Sequence, residues 1–352
     1  MGRRLRRGGY ARPGGGPARA PARPDRHVSR APGFWYRPPG LASTLLSPLA
    51  ALWRWETARR IAKGTPATVG VPVICVGNLT VGGTGKTPTV IALLDRLSAR
   101  GLKAHVLSRG HGGKETGPLQ VDPARHTAAD VGDEPLMLSA FAPTWIARDR
   151  AAGARAAAQA GAEVIVMDDG FQNPALAKDL SLIVVDGETG FGNGRIVPAG
   201  PLREPVAEGI ARADLALIVG GDNISTITEQ IAPLPTLQGC IAPLQTGMPW
   251  QGFRALAFAG IGRPAKFFAT LRELGVDVVA TRAFGDHEPY ALPVLKRLEQ
   301  EALSHRARLV TTEKDAARLP AEWRAKVSVL PVRLELEDGA ALDAALDRVL
   351  SS

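Results

Sequence analysis

Val73-Ile-Cys-Val-Gly-Asn-Leu-Thr80-Val-Gly-Gly-Thr-Gly85-Lys86-Thr87-Pro88 reads as an apolar strand, a glycine-rich loop and the opening of a helix. In such a loop the glycines let backbone N–H groups turn inward onto phosphate oxygens, and the helix N-terminus adds positive potential. Thr80, Val81, Gly82, Gly83, Thr84 and Gly85 form the cradle, Lys86 reaches the outer phosphates, and Thr87 offers a hydroxyl to Mg²⁺. The strict pattern wants glycine where Thr80 stands, but strand, loop and helix are all in place, and that setting outweighs the miss.

From this loop outward the chain alternates strand and helix. Strand patterns fall at 71–76, 104–108, 144–147, 163–167, 180–185 and 215–219, with helical patterns at 87–100, 134–142 and 150–160 between them. The expectation is a P-loop NTPase-like α/β fold with a doubly wound, mostly parallel sheet over residues 67–225. Pro233, Pro235, Pro243 and Pro249 then mark residues 226–250 as a linker. A second, smaller α/β domain follows over 251–352, with strands near 254–259, 277–283, 308–312 and 327–334.

A triphosphate site needs a metal partner, and Val164-Ile-Val-Met-Asp168-Asp169 ends a buried strand with two acids, where a P-loop fold places its Mg²⁺-orienting carboxylate. Asp168 is the primary metal ligand, because strand alternation points Asp169 the other way. Guanine recognition would need a Lys-x-Asp spacing, and Thr312-Glu-Lys-Asp315 sets lysine and aspartate side by side, which excludes a GTPase. Val81 occupies the place of the extra lysine of nucleotide-dimerised ATPases.

The formal charge of +9 is concentrated in a tail: residues 1–31 hold nine arginines and one acid, Asp25. The folded part is therefore nearly neutral, which removes the argument for a nucleic-acid partner. Arginine, glycine, proline and alanine give that tail almost nothing to pack, and it is expected to be disordered. Residues 32–66 contain Phe34, Trp35, Tyr36, Trp53 and Trp55, leucines at 41, 45, 46, 49 and 52, and then Arg54, Arg59, Arg60 and Lys63. An apolar helical face with amphipathic rings and a basic end suits either a membrane interface or a helix docked on its own domain. No apolar stretch is long enough to span a bilayer. Two cysteines, Cys75 and Cys240, give no disulfide framework and fit a reducing compartment.

The ordered motifs resemble one family. The phosphate loop at 78–88, Ser108-Arg-Gly-His-Gly-Gly113, Gly132-Asp-Glu-Pro135, Asp168-Asp-Gly-Phe-Gln172, residues 186–193, Pro198-Ala-Gly-Pro-Leu-Arg-Glu-Pro205, Gly260-Ile-Gly262, Gly285-Asp-His287 and residues 311–315 are similar to those of the tetraacyldisaccharide 4′-kinases. The resemblance implies transfer of the ATP γ-phosphoryl group, with Mg²⁺, to an acylated glucosamine disaccharide 1-phosphate held in the membrane. It implies a peripheral enzyme at the cytoplasmic face of the inner membrane, and a monomer is expected. Since each CH₂ drawn into water costs about 0.8 kcal/mol, the enzyme must come to the lipid, which favours the interfacial reading of 32–66.

The family assigns the aspartate of Gly-Asp-Glu-Pro, here Asp133, to catalysis together with the histidine of Asp-His, here His287. The two come from different domains, so closure would complete the site. Lys86, Asp168 and Asp169 complete the expected catalytic set, Glu134 is a further Mg²⁺ candidate, and Arg109, Arg203 and Glu204 are expected at substrate phosphate or ATP. The chain departs from the family at His111, usually tyrosine, and at Asn173 and Glu288, usually histidines. The first bears on sugar stacking, and the last leaves His287 as the one histidine of its motif. The loop and paired acids alone would also allow a kinase or ligase for a soluble metabolite, or a nucleotide-dependent membrane switch.

Overall fold

The computed structural model describes residues 31–351, so the expected disordered tail lies, apart from Ala31, outside the described residues. Strands β1 (Val73–Gly77), β2 (Ala104–Ser108), β3 (Leu119–Gln120), β4 (Thr144–Ile146), β5 (Val164–Asp168), β6 (Leu180–Asp186), β7 (Leu215–Val219) and β8 (Thr236–Pro243) build a large sheet. Strands β9 (Arg254–Ala259), β10 (Asp277–Ala283), β11 (Arg308–Thr312) and β12 (Val327–Leu330) build a small one, all parallel. The chain then returns to the large sheet as β13 (Val332–Leu336), giving the order β13-β8-β7-β6-β1-β5-β2-β4-β3. Only the edges β13 and β3 run antiparallel.

β1 is buried along its whole length because helices cover both faces of the sheet. Ile74 and Val76 face Val90, Leu93, Leu94 and Leu97 of the helix Lys86–Ala99. The alternate residues Val73 and Cys75 share the opposite core with Ala154 and Ala157 of the helix Arg150–Gln159. Strand order reverses around β1: β5 lies on one side and β6 on the other. The carboxyl ends of these strands therefore open a crevice, the usual ligand position in a doubly wound sheet. Gly77 and Asp168 end β1 and β5 there. The small lobe has the same construction, with Phe267, Phe268 and Leu271 on one face of its sheet and Leu295, Leu298 and Ala302 on the other.

Two expected boundaries are corrected. Residues 226–250 are not a linker: they contain most of the helix Ile224–Ile231 and the whole of β8, a member of the large sheet. Pro233 and Pro235 stand between helix and strand and Pro243 closes the strand, so these prolines punctuate elements without dissolving them. The single strand expected at 327–334 is two, divided at Pro331, which sends the chain from the small sheet back to the large one. The helix Ala340–Leu350 then packs Leu342, Ala345, Leu346 and Val349 into the large core. The lobes are thus joined by two crossings, one after Pro243 and one at Pro331.

The segment 32–66 folds as a short turn of helix, Gly33–Tyr36, followed by helices Leu41–Leu45 and Ser47–Lys63. Trp35 anchors it, donating its indole N–H to the Pro198 carbonyl at 3.1 Å. Only Ala50 and Thr57 of the long helix are buried. Leu41 is 85% exposed and Leu45 78%, and Leu49, Leu52, Trp53 and Trp55 are also exposed. Among the described residues no helix is long and apolar enough to cross a membrane.

Candidate active site

The glycine loop leaves β1 and turns into the helix Lys86–Ala99 through Gly85, whose φ of +96° is a left-handed conformation that side chains resist. Gly85 has no side chain to cap the helix, so its first N–H groups stay available to an anion. The stretch before the glycines is clamped from outside. Val81 N–H donates to the Pro201 carbonyl at 2.8 Å, Arg203 N–H to the Leu79 carbonyl at 2.8 Å, and Arg203 Nε to the Thr80 carbonyl at 3.2 Å. Thr80 therefore sits in a bridge to the segment around Leu202, a place that needs no glycine. Asn78 holds Thr84 at 3.3 Å, and Gln172 fixes the Asn78 carbonyl at 2.8 Å.

Asp168 closes β5 at 2% exposure, and its Oδ2 has no hydrogen-bond partner. Burial, then the charges of Glu134 and Asp169, push its pKa up to about 7 against the pull of Lys86 and Arg150. An orphaned acceptor beside the phosphate loop is what a cation would satisfy, and the carboxylate of Glu134 is close enough to act on it by charge. Among the described residues no three His, Cys, Asp or Glu side chains converge on one point. Such a cation would take few protein ligands, as Mg²⁺ on a nucleotide does. Asp169 does not point away, as alternation had suggested. Its φ of +50° breaks the strand geometry and turns its carboxylate to Lys86 Nζ at 3.6 Å and Arg203 Nη1 at 3.1 Å. Burial alone would raise its pKa, but these two cations hold it below the usual range.

At the meeting of the lobes, His287 Nδ1 lies 2.9 Å from both carboxylate oxygens of Asp133. Asp133 opens the helix Asp133–Leu138 of the large lobe; His287 comes from the loop after β10 with a φ of +60°, a strained conformation for a residue with a side chain. Burial pushes Asp133 up, yet its bond to His287 and the charges of Lys314, His287 and Arg318 outweigh that and hold it low. His287 is raised, first by its bond to Asp133, against burial and Lys314. Lys314 Nζ spans the lobes, 3.2 Å from Glu134 Oε1, 3.3 Å from His287 Nε2 and 3.5 Å from Asp286 Oδ1. Arg318 Nε lies 3.8 Å from Asp133. A second contact between lobes stands at the end of β6, where Arg263 meets Asp186 at 2.9 Å and Glu188 at 2.7 Å.

The structure brings together Lys86, Asp168, Asp169 and Arg203, and separately Asp133, Glu134 and His287. Arg109 is exposed, one residue past the end of β2. Glu204 is turned inward: at 2% exposure it pairs with Arg212 and accepts from Gln172 at 3.0 Å, so it braces the fold and faces no substrate. His111 packs its ring edge-on to His287 with centroids 6.1 Å apart. Lys314 and Arg318 were not among the expected site residues. For Lys314 the signal was the Thr311 to Asp315 motif itself, read against guanine recognition and as part of the family resemblance without a role for its lysine. Arg150 was also missed; burial lowers its pKa to about 10 beside Asp168.

The family model for tetraacyldisaccharide-1-P 4′-kinase matches residues 42–351. The chain belongs to that family. Among its relatives are the tetraacyldisaccharide 4′-kinases of Dinoroseobacter shibae, 59% identical over 90% of this chain and 97% of that one, and of Rhodospirillum centenum, 58% identical over 92% and 97%. The crystal structure of LpxK from Aquifex aeolicus in complex with ATP superposes with a TM-score of 0.71 at 26% identity, covering 88% of this chain and 100% of that one. The two chains thus share their overall fold.

Proposed function

We propose that the protein transfers the γ-phosphoryl group of ATP to the 4′-hydroxyl of a tetraacylated disaccharide 1-phosphate at the cytoplasmic face of the inner membrane, as a monomer. The observation that carries this reading is the Asp133–His287 contact, which joins an acid of the large lobe to a base of the small lobe beside a phosphate loop. Lys86, the loop amides and Arg203 hold the triphosphate, and Asp169 holds Lys86 and Arg203 in place. Mg²⁺, held by Thr87, Asp168 and Glu134, would neutralise charge on the phosphoryl oxygens. As the new P–O bond forms and the bond to the β-phosphate breaks, the hydroxyl proton passes to Asp133. Asp133 is ionised and so able to accept, and the charge of an arriving triphosphate raises its proton affinity.

The exposed leucines and tryptophans of 41–55 give the enzyme a face for the bilayer that holds its acceptor. Arg109, exposed just past the end of β2, is suited to the acceptor's phosphate. The test is transfer of labelled phosphate from ATP to a tetraacyl disaccharide acceptor, with the phosphorylated position identified. Label on the 4′-oxygen is expected; ATP hydrolysis indifferent to the acceptor would overturn the reading.

A further inference from the structure

We propose that Lys314 is a positioning residue that fixes the proton of His287 on Nδ1, so that a neutral imidazole, and not an imidazolium, faces Asp133. The inference rests on the reading of Asp133 as the base. An ammonium carries donors and no acceptor. At 3.3 Å from Nε2, Lys314 Nζ needs a lone pair on that nitrogen, which leaves the proton on Nδ1, 2.9 Å from the Asp133 oxygens.

The neighbours make the assignment consequential. Asp286 Oδ1 lies 3.7 Å from Nε2 and would favour a proton there. Lys314 is closer, and it lies 3.5 Å from the same Asp286 oxygen, so it occupies the position in which that carboxylate would claim the imidazole. Around His287 stand Asp133 and Glu134 from the helix Asp133–Leu138, Lys314 and Arg318 from the helix Glu313–Arg318, Asp286 from its own loop, and the edge-on ring of His111. Lys314 stands in the first turn of its helix, where the helix dipole disfavours a cation. Its hold on Glu134 at 3.2 Å from the opposite lobe accounts for that unfavourable placement. Lys314 and His287 both belong to the small lobe, so the ammonium stays at Nε2 by itself, and the contacts that cross to the large lobe are His287 with Asp133 and Lys314 with Glu134. The bond to Asp133 raises the affinity of His287 for a second proton, and the Lys314 ammonium opposes that gain; kept neutral, the imidazole steadies Asp133 without cancelling its charge. An imidazolium between Asp133 and Asp286 would form a full ion pair with the base and lower its affinity for the hydroxyl proton.

The test is nitrogen NMR of the full-length chain labelled with ¹⁵N-histidine, its six histidines resolved by a His287→Gln control. Expected for the unsubstituted protein is a protonated Nδ1 and a lone-pair Nε2 on His287; a protonated Nε2 overturns the proposal. Lys314→Met and Lys314→Gln are expected to protonate Nε2, and a signal unchanged in both overturns it. In turnover, Lys314→Met should lower kcat by about tenfold or more with KM for ATP unchanged, and Lys314→Arg should restore part of the loss. Full kcat in Lys314→Met also overturns it. Should Asp133→Asn retain turnover, the base reading fails, while the nitrogen signals still decide where the proton sits.

Discussion

Asp168 shows what a binding residue costs the unliganded fold. A carboxyl with a pKa of about 7 in the folded chain and near 4 in the unfolded one carries no penalty below pH 4, where both forms are protonated. The penalty then grows as pH rises through about 7, to an upper bound of about 4 kcal/mol. Asp168→Asn should therefore raise the thermal midpoint of the metal-free and nucleotide-free protein at pH 8, much less at pH 5, while abolishing phosphoryl transfer; scanning calorimetry at both pH values checks this. Asp133→Ala is expected to lower kcat by about 10² or more while ATP binding stays near normal, measured by steady-state turnover beside nucleotide titration. Near-normal turnover would remove Asp133 from the base role. The loop, Lys86, Thr87 and the paired acids could be read from the sequence as candidates because they are local patterns. Asp169 was misdirected because alternation ends with the strand, and the positive φ that turns it back is set by its contacts with Lys86 and Arg203. Glu204 was misassigned because burial is a tertiary property: nothing in Arg-Glu-Pro says that Arg212 will close over the glutamate. The Asp133–His287 pair joins residues 154 apart in sequence, and only family resemblance could connect them.

At the scale of elements, the helix Ser47–Lys63 was ambiguous in sequence, since an apolar face fits a docked helix as well as an interfacial one. Burial resolves where the face points: Ala50 and Thr57 are small enough for close docking, and the large side chains turn outward. Because Leu41, Leu45 and Leu49 touch little of the fold, replacing all three by serine should leave the melting temperature almost unchanged. At about 1 kcal/mol apiece for partial burial in lipid, the triple variant should partition into anionic vesicles roughly 100-fold more weakly. Vesicle sedimentation measures the loss, and turnover on a short-chain acceptor should be unaffected. Undiminished vesicle binding would assign membrane contact to another surface. β13 was missed for a different reason. Val-Ser-Val-Leu-Pro-Val-Arg-Leu-Glu-Leu reads as one extended run, and Pro331 is the sole sign that its halves belong to different sheets.

Across the whole molecule, the lobes are joined by two crossings, after Pro243 and at Pro331, and by side-chain contacts between them. The Asp133–His287 and Lys314–Glu134 pairs lie on one side of the phosphate loop, and Arg263 with Asp186 and Glu188 on the other. The first set is chemistry and closure together, so its loss cannot separate them. Arg263 touches neither Asp133 nor Asp168, which makes it the cleaner probe of closure. Its guanidinium is a third exposed, so solvent screening holds the pair to about 1 kcal/mol, and Arg263→Ala should lower kcat/KM for the acceptor a few-fold. If the loss arises from closure, single-turnover rates at saturating acceptor should stay close to normal. Amide exchange should quicken in the loops after β6 and β9 while the core of β1, β5 and β6 keeps its protection. A single-turnover rate that falls as far as kcat/KM would instead place Arg263 in the phosphoryl-transfer step, with closure governed by the Lys314 side alone.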